Sequence, residues 1–168
     1  EKQGKTGSMV FVTVQHSTYS EKGLAITEEQ DIVYLPMPKT FTPPPPNFIP
    51  ETLQWREDYP VDTVLLFRFS ALTFNAHRIH YDRNYVTEVE KYPGLVVHGP
   101  LQALLLMESA KKHNPGRKPA SYSFRAVRPL FDFDRIAVCG QLKSDGSHHL
   151  YTVNGDSQIA MQAEIVWR

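Results

Sequence analysis

The stretch from Pro100 to His113, PLQALLLMESAKKH, limits the possible folds more than any other part of the chain. Proline at the first position of a helix loses nothing, because the N–H it lacks would have no intrahelical partner there. The first two turns then carry Leu101, Ala103, Leu104, Leu105, Leu106 and Met107, apolar on nearly every side. A helix of that kind has to be enclosed on most sides. Lys111, Lys112 and His113 suit the negative end of its dipole, and Asn114-Pro115-Gly116 stops it.

The sequence offers mainly β-structure to enclose it. After the helix, residues 120–128, 135–143, 148–154 and 157–167 read as strands, with turns at Ser144-Asp145-Gly146 and Asn154-Gly155-Asp156. Before it, residues 61–69 (VDTVLLFRF) read as a strand. A turn or short helix is expected over 72–80, and a second short helix over 81–90 with Tyr81, Tyr85 and Val89 on one face. Near the start, residues 9–17 and 24–35 form a hairpin, which is marginal unless it joins a larger sheet. Between them and the body, 36–60 is proline-rich and favours extended geometry. It reads as a semi-rigid connector pinned by Trp55 and Tyr59, with a ligand for a proline-recognising partner as the sharper alternative. The class expected is α+β, with an antiparallel sheet wrapped around one central apolar helix.

Composition removes several functions. Lys+Arg and Asp+Glu are 18 each, so no general attraction to nucleic acid or an anionic membrane is expected. No apolar run reaches the roughly 18 residues of a membrane span. The polar start EKQGKTGS lacks the apolar segment of a signal peptide. Cys139 is the single cysteine, which suits a reducing compartment, either a bacterial cytoplasm or a mitochondrial matrix. The absence of an initiator Met leads us to expect further residues upstream.

Chemistry concentrates in Phe69–Met107, which holds His77, His80 and His98. His77 and His80 are three apart, a spacing that suits a metal pair on a helix. Only Asp82 and the distant His98 are near enough to complete a ligand set, so no metal is expected. Acid/base work near neutral pH is the functional alternative, and a pair of structural histidines the plainer one. The second element is His98-Gly99-Pro100 at the opening of the apolar helix. Because Pro100 cannot donate, Gly99 and Leu101 supply the amides for a developing oxyanion. A base beside an amide-lined carbonyl site is what proton transfer α to a thioester requires.

The wording ALTFNAHRIHYD (71–82) followed by YPGLVVHGPLQALLL (92–106) resembles the MaoC-like dehydratases and hydratases of the hot dog fold. It is similar above all to the branch of mesaconyl-CoA and itaconyl-CoA hydratases and type 2 hydroxyacyl-thioester dehydratases. The resemblance implies a hot dog half over 61–168, a linker over 37–60, and over 1–36 the terminal hairpin of an incomplete N-terminal half. The whole would be part of a double hot dog, paired with that half or as a homodimer. It implies a hydro-lyase that needs no cofactor, with CoA or acyl carrier protein entering as part of the acyl-thioester substrate. Better-known relatives carry D-x-N-P-L-H with a catalytic Asp and His. His80 falls on that His and Asn75 on that Asp, a departure that leaves the acid/base pair incomplete because an amide does not exchange a proton. The catalytic set implied is His80, Asn75 and Gly99, with His77, Arg78, Asp82, His98, Leu101, Arg125 and Arg128 toward the substrate. Arg117 and Lys118 are further candidates for the CoA diphosphate. A hot dog thioesterase using Glu88, Glu90 or Glu108, and a non-catalytic thioester-binding subunit, are the alternatives.

Overall fold

The computed structural model describes residues 2–4, 7–34, 36 and 39–168, which divide into two compact units, Glu1–Lys39 and Thr40–Arg168. The first unit is a three-stranded antiparallel sheet: β1 (Lys2–Gly4), β2 (Gly7–Ser20) and β3 (Gly23–Tyr34), in the order β1-β2-β3. The hairpin expected from alternation is present but longer, and it turns at Glu21-Lys22 with Gly23 at a positive φ. Leu35, placed at the end of that hairpin, lies outside the described residues, as do positions 37 and 38 of the linker.

The second unit contains β4 (Trp55–Tyr59), α1 (Thr63–Leu72), a 3-10 turn (Arg78–His80), α2 (Arg83–Glu88) and α3 (Gly99–His113), then β5 (Pro119–Ala126), β6 (Ile136–Leu142), β7 (His148–Val153) and β8 (Ile159–Trp167). Its five strands form one antiparallel sheet in the order β4-β6-β7-β8-β5. α3 lies on one face, where Ala103, Leu106 and Ala110 pack against Val138, Leu150, Met161 and Ile165. Leu104 is half exposed, so the helix is enclosed on three sides rather than all round.

The opposite face of the sheet carries Ala137, Cys139, Tyr151, Val153 and Ile159, and these are covered by Ile49 and Leu53 of the proline-rich segment. That segment is stitched down by backbone bonds from Ile159 N–H to the Asn47 carbonyl (2.7 Å) and from Gln54 N–H to the Gly140 carbonyl (2.8 Å). The expected connector is thus a strap that closes the second face of β6 and β7. Both strands are buried on both sides, which is why they read as nearly continuous apolar runs.

Two expectations fail before the site. Residues 61–69 are not a strand. Asp62 accepts from Leu65 N–H at 2.7 Å and caps a helix that buries Leu66 and Ser70, four apart. α1 stops where the Thr73 hydroxyl donates to the Phe69 carbonyl (2.7 Å) and Phe74 takes a positive φ. The strand before the helix is instead Trp55–Tyr59, an edge strand inside the supposed linker. In α2 Val86 is buried and Tyr85 packs against the core, while Tyr81 and Val89 lie outside the helix and are exposed, so the three do not act as one helical face.

Trp55 pairs with Gly140 across β4 and β6, and its indole lies where a side chain at 140 would stand. A Cβ there would fall 2.0 Å from the ring, while the indole N–H donates to Ser109 Oγ on α3 (2.9 Å). Gly140→Ala is expected to destabilise the protein by about 1–3 kcal/mol through overpacking, read as a lower denaturant midpoint. An unchanged midpoint would show that the indole is free to move.

Candidate active site

The site is built where residues 95–97 are clamped between two segments. Val96 N–H donates to the Ile79 carbonyl (3.0 Å) and Val97 N–H to the Leu130 carbonyl (2.8 Å). In the same register the His80 ring meets the Val96 carbonyl, Nδ1 to O at 2.7 Å. A carbonyl can only accept, so Nδ1 carries the proton and Nε2 keeps its lone pair. The 3-10 turn at 78–80 brings the imidazole in, with His80 only 7% exposed. Burial lowers the His80 pKa below the ordinary imidazole value, opposed by the Val96 carbonyl. The ring is therefore a neutral base at neutral pH.

His80 lines a cleft of about 330 Å³ together with Val96, Val97, Gly99, Gln102 and Arg128. The imidazole and the opening turn of α3 thus converge on one cavity. Gln102 N–H already serves the His98 carbonyl (3.1 Å), and Pro100 has none. Gly99 and Leu101 remain as the first-turn amides outside the helix ladder. A Cβ on Gly99 would meet nothing closer than Met161 at 3.9 Å, so space rather than steric need surrounds this residue. Arg128 holds the Pro44 carbonyl through Nη1 (2.8 Å) at the rim.

His98 lies behind His80 and not in the cleft. It is wholly buried, its ring stacked on that of His80 at 3.7 Å and 17°. Nε2 lies 2.8 Å from Ser70 Oγ on α1, while the buried Nδ1 has no partner among the described residues. An unpartnered buried polar atom costs about 1–3 kcal/mol. Burial, with His80 beside it, holds the His98 pKa down to about 4.

The other residues expected here are dispersed. His77 contacts Glu90 through Nε2 (3.0 Å), with its ring centre 5.8 Å from that of His80. Asn75 accepts from His77 N–H (2.9 Å) and lines a neighbouring cleft with Phe67, Ser70, Phe74 and Tyr81. Arg78 and Asp82 bind one another, Arg78 donating from Nε and Nη2 to one carboxylate oxygen, and Asp82 also caps α2. Leu101 is buried. Arg125 lies with Ser123, His149 and Glu164 on the sheet face away from α3, so it does not share the cleft with Arg128. Sequence reasoning missed Gln102, fixed by a hydrogen bond from Thr152 Oγ1 (2.7 Å), and Ser70. Gln102 had one visible signal, a lone amide within an apolar helical run.

This helix-on-sheet unit has the hot dog fold. The chain superimposes on a MaoC-like dehydratase from Phytophthora capsici with a TM-score of 0.70, at 13% identity, covering 94% of this chain and 56% of that one. The (R)-hydratase of A. caviae involved in PHA biosynthesis gives 0.59 at 20% identity, covering 70% and 96%. Residues 1–132 match the family described as hydroxyacyl-thioester dehydratase type 2, and the chain belongs to that family. It is 51% identical over 149 residues to mesaconyl-C(4)-CoA hydratase of Chloroflexus aurantiacus, covering 86% of this chain and 52% of that protein. It is 31% identical to the mitochondrial hydroxyacyl-thioester dehydratase type 2 of Schizosaccharomyces pombe, covering 83% and 45%. The chain therefore spans about half the length of these curated relatives.

The neutral burial of His98 sets a pH dependence of stability. The folded pKa of about 4 lies below the unfolded value of 6.5, so unfolding takes up a proton between them. The stabilisation is complete above pH 6.5 and is lost as pH falls toward 4, by roughly 3 kcal/mol. Lowered values at His80 and His148 act in the same direction. Denaturant unfolding at pH 7 and pH 4.5 is expected to show a smaller acid loss in His98→Phe than in the wild type. Equal losses would contradict the assignment.

Proposed function

We propose that the full-length protein containing this chain is a hydratase/dehydratase, adding water reversibly across the α,β double bond of an acyl thioester. The observation that carries this reading is the shared cleft: His80, with Nε2 unprotonated, opens onto the same cavity as Gly99 at the start of α3. The thioester carbonyl docks at the amides of Gly99 and Leu101. Water then lies between Nε2 and the β-carbon. As its oxygen attacks the β-carbon, Nε2 takes its proton, and the π electrons move to the carbonyl oxygen as an enolate held by the helix N-terminus. His80 returns that proton to the α-carbon, so water is added with one base and no second acid is consumed. This scheme does not require a carboxylate where Asn75 stands. Dehydration is the same path reversed.

The 51% identity to a mesaconyl-C(4)-CoA hydratase favours a small branched unsaturated diacid as the acyl group and CoA as its carrier. Arg128 is the cation in the cleft for a substrate carboxylate or phosphate. A second hot dog unit, from the rest of a longer chain or from another copy, is the natural partner. A bacterial cytoplasm or a mitochondrial matrix fits the single buried Cys139.

The test is the full-length protein with an enoyl-CoA such as mesaconyl-C4-CoA, following loss of the conjugated thioester's ultraviolet absorbance. His80→Ala is expected to lower kcat by roughly 10²–10⁴-fold. Near-normal turnover in that variant, or thiol release in place of hydration, would overturn the reading. Because His80 must be neutral and its pKa is lowered, kcat/KM should stay on its plateau down through the ordinary imidazole value and fall only below it. A limb at or above that value would contradict the burial argument.

A further inference from the structure

We propose that His98 is a positioning residue for the reaction: held by Ser70, its ring is the flat backing that fixes the plane of the His80 imidazole. This deepens the hydratase reading and rests on it in taking His80 as the base. Three observations carry it. The two rings are nearly parallel and in van der Waals contact, at 3.7 Å and 17°. The Ser70 contact at Nε2 stops the His98 ring from turning about its Cβ–Cγ bond. The third is the unpartnered Nδ1 in a fully buried position. Phenylalanine would offer a ring without an unmet nitrogen but could not bond Ser70, so histidine is the residue that joins a flat ring to an anchor here. Buried polar groups that break this rule mark sites where geometry serves function.

The Val96 carbonyl restrains the His80 ring at one edge, through Nδ1, and supports neither of its faces. Stacking against His98 supports one face and narrows the tilt that the edge contact leaves. The edge-on ring of His77 stands at 5.8 Å. Nε2 is then held at one place in the cleft before substrate arrives. Reacting atoms displaced by about 1 Å can lower a rate by roughly a hundredfold, so the plane of the ring matters. The titratable or charged groups around His80 are His77 with Glu90 behind it, His98 on its face, and Arg128 across the cleft. His98 is neutral and so adds no charge; its contribution is shape and exclusion of water.

The experiment compares His98→Phe, His98→Gln and Ser70→Ala with wild type in the full-length protein. His98→Phe keeps a ring but loses the anchor, and kcat is expected to fall roughly tenfold with KM changed less than about twofold. Gln is long enough to meet Ser70 but offers no ring. It is expected to lower kcat further and to move the acid limb of kcat/KM up toward the ordinary imidazole value, as water reaches His80. Ser70→Ala should resemble His98→Phe. Wild-type kcat and an unmoved acid limb in folded His98→Phe and His98→Gln would overturn the proposal. NMR titration of the His80 ring C–H protons in ligand-free protein separates this from failure of the hydratase reading. A raised His80 pKa in His98→Gln supports the positioning role even if no enoyl thioester is hydrated, and an unchanged value refutes it whatever the activity.

Discussion

The hydrogen bond from His80 to the Val96 carbonyl is the contact on which the site depends. It selects the tautomer, so the other ring nitrogen, Nε2, is left basic. It also joins the 3-10 turn to the extended piece that leads directly into α3. Three residues beyond Val96 lies Gly99, so one short segment sets the base and the amide terminus in fixed relation. Ile79 and Leu130 hold that segment from either side. Preorganisation here is a property of the backbone, and the side chains inherit it.

The remaining structure keeps this arrangement dry and stiff. α3 is pressed on the sheet through Leu106, Ala110 and their partners, and Gln102 is tied to Thr152 within the same interface. On the far face the proline-rich strap replaces a second layer of helices. At the other end of α3, Glu57 gathers Ser109 and Lys112, and its carboxyl pKa is lowered first by the Lys112 hydrogen bond. The cost of a buried, neutral His98 falls beside the base itself, while the distant supports are satisfied pairs.

Much of this was legible in the sequence. The apolar run after Pro100 required an enclosing sheet, the turn residues placed the last strands closely, and HRIH with HGP named two residues, His80 and Gly99, that line one cleft. The failures have physical causes. Val64, Leu65, Leu66, Phe67 and Phe69 read as a strand because β-prone residues crowd there; the Asp62 cap and the Leu66–Ser70 spacing decide for a helix. The strand Trp55–Tyr59 carries three consecutive charges, Arg56, Glu57 and Asp58, in place of an apolar alternation, and prolines on either side disguised it. In the site, the partners missed were a main-chain carbonyl, which has no sequence signature, and Ser70, which meets His98 only after the chain folds. Arg125 and Arg128, three apart in sequence, part company because Ala126 ends a strand and the chain turns before Arg128.

The central claim is that His80 stands neutral, with its proton on Nδ1 and a lone pair at Nε2. Nitrogen-15 NMR of the histidine rings in the ligand-free, full-length protein at neutral pH tests it most directly. The account predicts a pyrrole-like shift for Nδ1 of His80 and a pyridine-like shift for Nε2. Two pyrrole-like nitrogens, the mark of an imidazolium, or the reversed tautomer would contradict it.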